Sequence, residues 1–377
     1  MSVFNVDGKT ELRQLFDHQL DAGLHHGAQL AVYKDGEQVV DFAGGTAGPD
    51  GDAETSDRKH LLFSCTKPYA GACLHHLIDA GAASYDDKVT DHWPAYADPS
   101  STRDEATIRH VLSHQAGVPA SPVDERPDVW GDWDAVAELL ATVEPSFTPG
   151  ETAAYHALSY GWLVGLLVRE IAGETVGSYA REHLFDPLGM DDTHIGLPAS
   201  EADDVATLVG FESFDRCRDA DAGLQTMTNA EAAALFNQEH VHRAEVPAAS
   251  GVGTASDMAR FYACLADGGT LDGTRVLSES VVDELTSCQV EIESDGTLGS
   301  PTRYGLGVFL AGHPTDKYGT FAPDHVFGHG GLGSSLGWAD PESGIAAAYV
   351  TNGIRDEFEH GSRTTQIADA VRAMCAE

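Results

Sequence analysis

The sequence predicts an α/β fold with an inserted helical domain. Strand-like runs of apolar residues occur near both ends of the chain, whereas between about residues 66 and 245 the apolar residues recur mostly at helical spacing. Strand-rich ends around a helical middle are typical of a discontinuous α/β domain that is interrupted by a helical one. We therefore expect one domain from residues 1–65 and 246–377, and a second, mainly helical domain from residues 66–245.

The periodicity also predicts the individual elements. Near the N-terminus it indicates a helix at 11–22 and two strands, 28–33 and 38–42, joined by a Lys-Asp-Gly-Glu turn that is typical of a hairpin. The rest of the chain has further segments of clear periodicity, which predict helices at 134–142, 160–172 and 364–376 and strands at 304–310, 335–339 and 345–351.

The net charge is strongly negative: 60 acidic residues stand against 22 basic ones, which gives −38. Such a surface would repel nucleic acid and anionic membranes, so we expect neither as a partner. Such a charge is typical of proteins adapted to molar salt, where dense carboxylates are screened; an ordinary acidic enzyme is the alternative.

The first residues lack the basic and apolar parts of a secretory signal, which predicts a cytoplasmic protein.

The cysteines and histidines have no metal-binding spacing, so we expect neither a metal nor another cofactor. In a cytoplasmic protein the cysteines are most simply free thiols. There are six of them: Cys65, Cys73, Cys217, Cys264, Cys288 and Cys375. The oligomeric state stays open.

A candidate nucleophile lies at the start of a predicted helix, in the tetrapeptide Ser-Cys-Thr-Lys at 64–67. Residues three apart share one face of a helix, which places the Ser64 hydroxyl beside the Lys67 amine. A hydroxyl becomes a useful nucleophile when a neighbouring base accepts its proton. Ser-x-x-Lys is common, however, and an isolated match is more often a helix-capping serine with a solvated lysine. Pro68 is expected to distort the first turn.

Two further elements carry candidate site residues. In the segment 147–157 a turn delivers Tyr155 just before a helix, and the segment 327–333 is rich in glycine before the C-terminal strands. Glycines allow a backbone to approach a substrate and to present its N–H groups. Taken singly, Tyr155 is more often a core residue and a glycine run is more often a turn.

Together with Ser64 and Lys67, these elements resemble the serine β-lactamase-like hydrolases, specifically the class C β-lactamases and the family VIII carboxylesterases. That family has Ser-x-x-Lys, then a tyrosine motif in the helical domain, then Lys-Thr-Gly or a substitute on a strand. Here the second and third motifs are 155–157 and 329–331, and the landmarks 107–117, 187–190 and 253–258 also fit. The resemblance covers roughly residues 10–370. It implies an antiparallel sheet flanked by helices, with the active site between the two domains.

The resemblance also implies a role for each matching position. Ser64 attacks the substrate carbonyl and is acylated, and Lys67 and Tyr155 share the proton transfers, with either of them as the formal base. The backbone N–H groups of Ser64 and Leu332 form the oxyanion hole. The positions expected to line the substrate are His156, Ala157, His329, Gly330 and Gly331.

Two departures from the lactamase pattern bear on the substrate. Ala157 stands where an asparagine is usual, and His-Gly-Gly replaces Lys-Thr-Gly, which removes a fixed positive charge and a hydroxyl. A β-lactam carboxylate benefits from both groups, whereas a neutral ester needs neither. The expected activity is therefore a carboxylesterase acting on a small ester of short or medium acyl chain. The alternatives are a β-lactam or D-amino peptide hydrolase, and a non-catalytic binding protein of the same fold.

A second serine also matches a known pattern. The segment 333–337, Gly-Ser-Ser-Leu-Gly, satisfies the Gly-x-Ser-x-Gly elbow of α/β-hydrolases. That elbow requires a helix after the serine, whereas here a turn and an apolar strand follow. We therefore expect Ser335 not to be the nucleophile.

Overall fold

The computed structural model describes residues 6–212, 227–313 and 316–376. Cys217 lies outside these residues, and the other cysteines are free thiols, as predicted. None of the helices in the described ranges has the length and apolar character needed to cross a bilayer. The helices are α1 Val6–Asp21, α2 Lys67–Asp79, α3 Val89–His92, α4 Ile108–Leu112, α5 Trp133–Leu140, α6 Ser159–Ala172, α7 Val176–Ala180, α8 Asp186–Leu188, α9 Asn229–Phe236, α10 Glu239–Arg243, α11 Ala255–Ala266, α12 Glu279–Thr286 and α13 Glu357–Cys375.

Short strands alternate with these helices, and the longer strands lie near the two ends of the chain. The strands are β1 Gly27–Lys34, β2 Glu37–Gly45, β3 His60–Leu61, β4 His194–Ile195, β5 Val209–Gly210, β6 Gly251–Gly253, β7 Thr270–Leu271, β8 Thr274–Arg275, β9 Val290–Ile292, β10 Thr302–Tyr304, β11 Phe309–Leu310, β12 Phe327–Gly331, β13 Ser335–Asp340, β14 Ile345–Thr351 and β15 Gly353–Ile354.

The central sheet is antiparallel and has the strand order β2-β1-β14-β13-β12-β11-β10-β9. Ala28 of β1 pairs with Thr351 of β14, so strands from near the two ends of the chain are neighbours in this sheet, next to the β2 edge. Successive residues of a strand point to opposite faces. Leu30 accordingly packs in the core on the α1 and α13 side, and Ala31 packs in the larger core on the α11 side. The predicted antiparallel sheet flanked by helices is confirmed.

The predicted elements are mostly present, with different ends. Helix α1 starts before residue 11 because it packs against α13, where a Cβ on Gly8 would come within 2.9 Å of the Met374 Cα. Helix α13 starts well before residue 364 because the Asp356 side chain accepts a hydrogen bond from the Glu359 amide (2.8 Å), which caps the helix.

The prediction of one strand at 304–310 is wrong. Two short strands, β10 and β11, form a tight hairpin there, in which Tyr304 pairs with Phe309. Gly307 has a φ of +84°, a conformation that favours glycine, and it reverses the chain. The proposed domain limits stay a prediction, since the larger hydrophobic core contains residues from both segments.

Candidate active site

Ser64 lies on a single 3-10 turn, Phe63–Thr66, that continues directly into α2. We call it the nucleophile turn. Strand β6 holds it at two points: the Leu62 amide donates to the Gly251 carbonyl (2.8 Å), and the Gly251 amide donates to the Thr66 hydroxyl (2.8 Å). The hydroxyl of Ser64 is therefore carried by a backbone segment that is fixed against the rest of the fold.

The residue before Ser64 has an unusual backbone. Phe63 has a φ of +49°, in a region that bulky side chains rarely adopt. Its buried ring packs edge-on against Phe236, with ring centroids 4.9 Å apart. Pro68 follows in the first turn of α2, where its missing N–H is tolerated. A strained residue persists only where the surrounding packing holds it in place, and such residues cluster at functional sites.

The Lys67 amine is buried and has three oxygen atoms around it. Its Nζ lies 3.0 Å from the Ser64 Oγ, 2.7 Å from the Ala157 carbonyl oxygen and 3.1 Å from the Ala248 carbonyl oxygen. Burial lowers the pKa of Lys67 well below its usual 10.5, because the charged amine loses its hydration. A neutral amine has two N–H donors and one lone pair. The two carbonyls can take both donors, which leaves the lone pair for the Ser64 hydroxyl.

Tyr155 reaches the same point from the loop before α6. The Lys67 Nζ lies 4.8 Å from the centre of the Tyr155 ring, and Phe309 stacks on that ring at 5.6 Å. Burial raises the pKa of Tyr155 above its usual 10, and a hydrogen bond with the Ser64 side chain only partly opposes this rise. The phenol is therefore protonated near neutral pH.

A buried carboxylate holds the backbone of Tyr155. Asp295 is 2 % exposed, and its Oδ1 accepts hydrogen bonds from the amides of Tyr155 (3.0 Å), Thr297 (2.8 Å) and Leu298 (2.8 Å). Its Oδ2 accepts from the Tyr304 hydroxyl (2.9 Å). These four bonds tie the tyrosine segment to the loop between β9 and β10.

His156 and Ala157 contact the protein itself. The His156 ring is buried: its Nδ1–H donates to the Ala154 carbonyl (2.6 Å) and its Nε2 accepts from the Val118 amide (3.0 Å). Both ring nitrogens are thereby used, which favours a structural role for this residue. Ala157 contributes the carbonyl that Lys67 contacts. Their contact with a substrate stays a prediction.

Strand β12 lies beside the nucleophile turn. It pairs with β11 only through Phe327 and Gly328, so that among the described strands none covers 329–331 on that side. The Cys65 thiol donates to the His329 carbonyl (3.1 Å), and a Cβ on Gly331 would come closer than 3.0 Å to the Leu62 carbonyl oxygen. A glycine at this position is what allows the strand to approach the turn.

His329 brings a neutral ring to the site. Burial is the largest cause that lowers its pKa well below 6.5, and the nearby Lys67 adds to the effect. The Nδ1–H donates to the Gly330 carbonyl (2.8 Å), so Nε2 carries the lone pair. Within the described residues this buried Nε2 has no hydrogen-bond partner. The ring packs against Phe309 at 4.7 Å and against Tyr155 at 6.1 Å between centroids.

Leu332 lies in the turn 331–334 between β12 and β13, and its side chain is 41 % exposed. The Ser334 amide donates to the Gly331 carbonyl across this turn (3.2 Å).

Ser335 begins β13 instead of a helix, which differs from the α/β-hydrolase elbow. Its hydroxyl is buried and donates to the Leu62 carbonyl (3.0 Å), behind the nucleophile turn.

The structure thus brings Ser64, Lys67, Tyr155 and His329 together, and it adds two groups that sequence reasoning missed. Ala248 acts through a backbone carbonyl, which any residue type would supply, so its side chain carries no signal. Asp295 is far from Tyr155 in sequence, and one aspartate among many acidic residues did not stand out.

Comparisons with known proteins identify the family and the fold. A profile of the Beta-lactamase family matches residues 12–372. The chain is 35% identical over 340 residues to "Esterase/beta-lactamase LipL" from Mycobacterium tuberculosis, covering 86% of this chain and 77% of that protein. It is similar to the crystal structure of a penicillin-binding protein homologue from Caulobacter crescentus, with a TM-score of 0.86, 32% identity and 99% coverage of both chains. The crystal structure of a family VIII carboxylesterase has a TM-score of 0.83 and 30% identity, covering 97% of this chain and 98% of that one.

Proposed function

The chain belongs to the Beta-lactamase family, and we propose that within this family of serine hydrolases it is a carboxylesterase that forms an acyl-enzyme on Ser64. The observation that supports this most is the environment of Lys67. A buried amine with two carbonyl acceptors and a serine hydroxyl at 3.0 Å is arranged to remove the proton of that hydroxyl.

In the acylation step, the neutral Lys67 accepts the Ser64 proton while the Ser64 oxygen adds to the ester carbonyl. The resulting ammonium has three N–H donors, which match its three oxygen neighbours. The amides of Ser64 and Leu332 bind the oxyanion of the tetrahedral intermediate. When that intermediate collapses, the Tyr155 phenol protonates the leaving alkoxide and recovers a proton from Lys67.

Deacylation reverses the proton path. Water gives a proton to Lys67 by way of Tyr155 and adds to the acyl carbonyl. The second tetrahedral intermediate then releases the carboxylic acid, and the Ser64 oxygen takes back its proton. Every step uses only water and groups of this chain, with Lys67 as the formal base and Tyr155 as the group that passes protons to and from the substrate.

The neutral ring of His329 supports a neutral substrate. Where the lactamase pattern has a lysine ammonium, this chain has an imidazole whose unpaired Nε2 can act only as a hydrogen-bond acceptor and provides no positive charge. Ala157 likewise offers no side-chain amide. A small uncharged ester fits such a site better than a carboxylate-bearing lactam. The likeness to LipL and to a family VIII carboxylesterase supports the same choice.

The second candidate is a β-lactam or D-amino peptide hydrolase, which is favoured by the likeness to a penicillin-binding protein homologue. The same nucleophile and proton path would serve an amide.

We also propose that the protein is adapted to high salt, which is supported by its net charge of −38.

A fluorophosphonate probe tests the nucleophile. We expect intact-mass spectrometry to show one adduct on the wild type and on Ser335→Ala, and none on Ser64→Ala, with peptide mapping placing it on Ser64. Hydrolysis of p-nitrophenyl acetate and butyrate is then compared with that of nitrocefin in molar KCl. Faster nitrocefin turnover would favour the second candidate, and a wild type that takes no label would indicate a binding protein.

A further inference from the structure

Arg363 of α13 is a buried cation directly behind the turn that carries Leu332. It is 1 % exposed. Within the described residues its hydrogen-bond acceptors are all neutral, and a buried charge without an opposite charge is rare and unfavourable. Those acceptors are the carbonyls of Leu24, Gly333 and Gly353, the Thr351 hydroxyl, and the ring nitrogens of His25 and His360.

The two histidines beside Arg363 do not share its charge. Burial and the nearby guanidinium lower the pKa of His25 and of His360 well below 6.5, so both rings are neutral near neutral pH. Burial also lowers the pKa of Arg363 itself, to about 10, which leaves the guanidinium protonated at neutral pH. A full positive charge is therefore present here without a counter-charge among its hydrogen-bond partners.

The shortest hydrogen bond of Arg363 begins a chain of peptide groups. Its Nη2 donates to the Gly333 carbonyl (2.6 Å). The N–H of that same peptide group, on Ser334, donates to the Gly331 carbonyl (3.2 Å). The N–H of this second peptide group belongs to Leu332, which is the amide assigned to the oxyanion hole. Two peptide groups thus connect a guanidinium to the proposed oxyanion.

Hydrogen bonds in such a chain polarise one another, so a cation at one end makes the N–H at the other end a stronger donor. We propose that Arg363 is a positioning residue that fixes the turn 331–334 and, through its two peptide groups, strengthens the Leu332 amide toward the oxyanion. This inference rests on the proposed function. Glu359 lies close enough to favour the charged guanidinium, and the negative charge that forms on the substrate oxygen in the transition state then adds an opposite charge at the end of the hydrogen-bonded chain.

The geometry of the turn supports this arrangement. Gly333 has a φ of +56°, and a Cβ there would overlap the Arg355 backbone, so the turn is seated tightly against the start of α13. The Arg355 amide also donates to the Gly333 carbonyl (2.9 Å). A neutral donor would be enough to hold this carbonyl, whereas the polarisation depends on the charge.

The test separates the charge from the hydrogen bond. Arg363→Gln keeps an N–H donor and removes the charge, whereas Arg363→Lys keeps the charge without the planar fork. Arg372→Gln is the matched control, because Arg372 lies on the same helix but pairs with Asp340. For each variant we would measure the melting temperature, kcat and KM on p-nitrophenyl butyrate, and the Ki of an alkylboronic acid, whose boron bonds to the Ser64 oxygen as a tetrahedral anion.

For Arg363→Gln we expect kcat and boronate affinity to fall in parallel by about 10-fold, a fraction of the roughly 10²–10³-fold loss of a whole oxyanion donor, with little change in KM. Arg363→Lys should recover part of both losses, and Arg372→Gln should change neither. A folded Arg363→Gln protein with a lower melting temperature but unchanged kcat and boronate Ki would overturn the proposal, since Arg363 would then only stabilise the fold.

A measurement on the wild type covers the case in which the variants do not fold. In ¹⁵N-labelled protein, boronate binding should move the amide proton of Ser334 downfield together with that of Leu332. A shift at Leu332 alone would overturn the proposed chain. Boronate binding needs Ser64 and the oxyanion hole but no ester turnover, so a wild type that binds boronate and cleaves no ester would refute only the carboxylesterase. Failure of the wild type to bind boronate would refute the oxyanion hole, and this inference with it.

Discussion

Replacing Gly331 by alanine tests how the close approach of β12 to the nucleophile turn supports catalysis. The added Cβ would lie less than 3.0 Å from both the Leu62 carbonyl oxygen and the Ser335 hydroxyl, closer than real Cβ atoms come to other atoms. The strand and the turn would have to separate by several tenths of an ångström. Overpacking of this kind destabilises a fold by about 1–3 kcal/mol. Because a 1 Å misplacement in an active site can reduce the rate by about 10²-fold, we expect kcat to fall by roughly 10- to 100-fold.

Gly131→Ala is the control, since Gly131 lies outside the site, before α5, and an added Cβ there would meet no atom within 4 Å. Its kcat should stay within about twofold of the wild type, and alanine in place of glycine stabilises by about 0.4–1 kcal/mol when the backbone permits it. Both variants would be compared by kcat on p-nitrophenyl butyrate and by the rate of fluorophosphonate labelling in molar KCl. If Gly331→Ala were as active as Gly131→Ala, the contact between strand and turn would not hold Ser64 in place.

Four further predictions follow from the site and the surface. The acid limb of the kcat/KM profile should lie well below pH 10.5, because the base is a neutral Lys67 whose activity is lost as the pH falls through its lowered pKa. A kcat/KM that reaches half its maximum only near pH 10.5 would contradict this. Asp295→Asn should lower the free energy of unfolding by about 1.5–3 kcal/mol, since it replaces hydrogen bonds to a charged group by neutral ones. It should also move the alkaline limb of the pH–rate profile to lower pH, because the Asp295 charge helps to raise the pKa of Tyr155. Unchanged urea unfolding and an unchanged alkaline limb would argue against this role of Asp295. His329→Lys should improve kcat/KM for an anionic ester relative to a neutral one of equal length, and an unchanged ratio would remove His329 from the substrate site. Finally, the melting temperature should fall when KCl is reduced from molar to tens of millimolar, as the Debye length grows from about 3 Å to about 10–20 Å. A constant melting temperature would refute salt adaptation.

The parts of the fold that could be predicted from sequence are those that local spacing determines. Residues 345–351 form β14 as predicted, because an uninterrupted apolar run bounded by turn residues has few alternatives. The spacing of Ser64 and Lys67 likewise predicted neighbouring side chains, and the Lys67 Nζ lies 3.0 Å from the Ser64 Oγ. The strand predicted at 304–310 failed because Gly305 and Gly307 permit a turn that apolar periodicity does not detect.

The rest of the site depends on contacts between residues that are distant in sequence. The carbonyl of Ala248 and the carboxylate of Asp295 reach Lys67 and Tyr155 only after the chain has folded. Arg363 is equally inconspicuous in the sequence, where an arginine in the last helix is usually solvated. Its burial follows from the packing of α13 against β14 and the turn 331–334, which no local pattern encodes.

The pairing of β1 with β14 has a consequence for biosynthesis. The first strands leave the ribosome long before β14 is made, and without it β1 presents an unpaired edge. The sheet is completed only after the long stretch of chain between β1 and β14 has been made. Contacts between such distant segments fold slowly, and exposed edges in the meantime favour aggregation. We expect the nascent protein to depend on chaperones, and truncations that remove β14 to yield insoluble chains rather than a smaller folded domain.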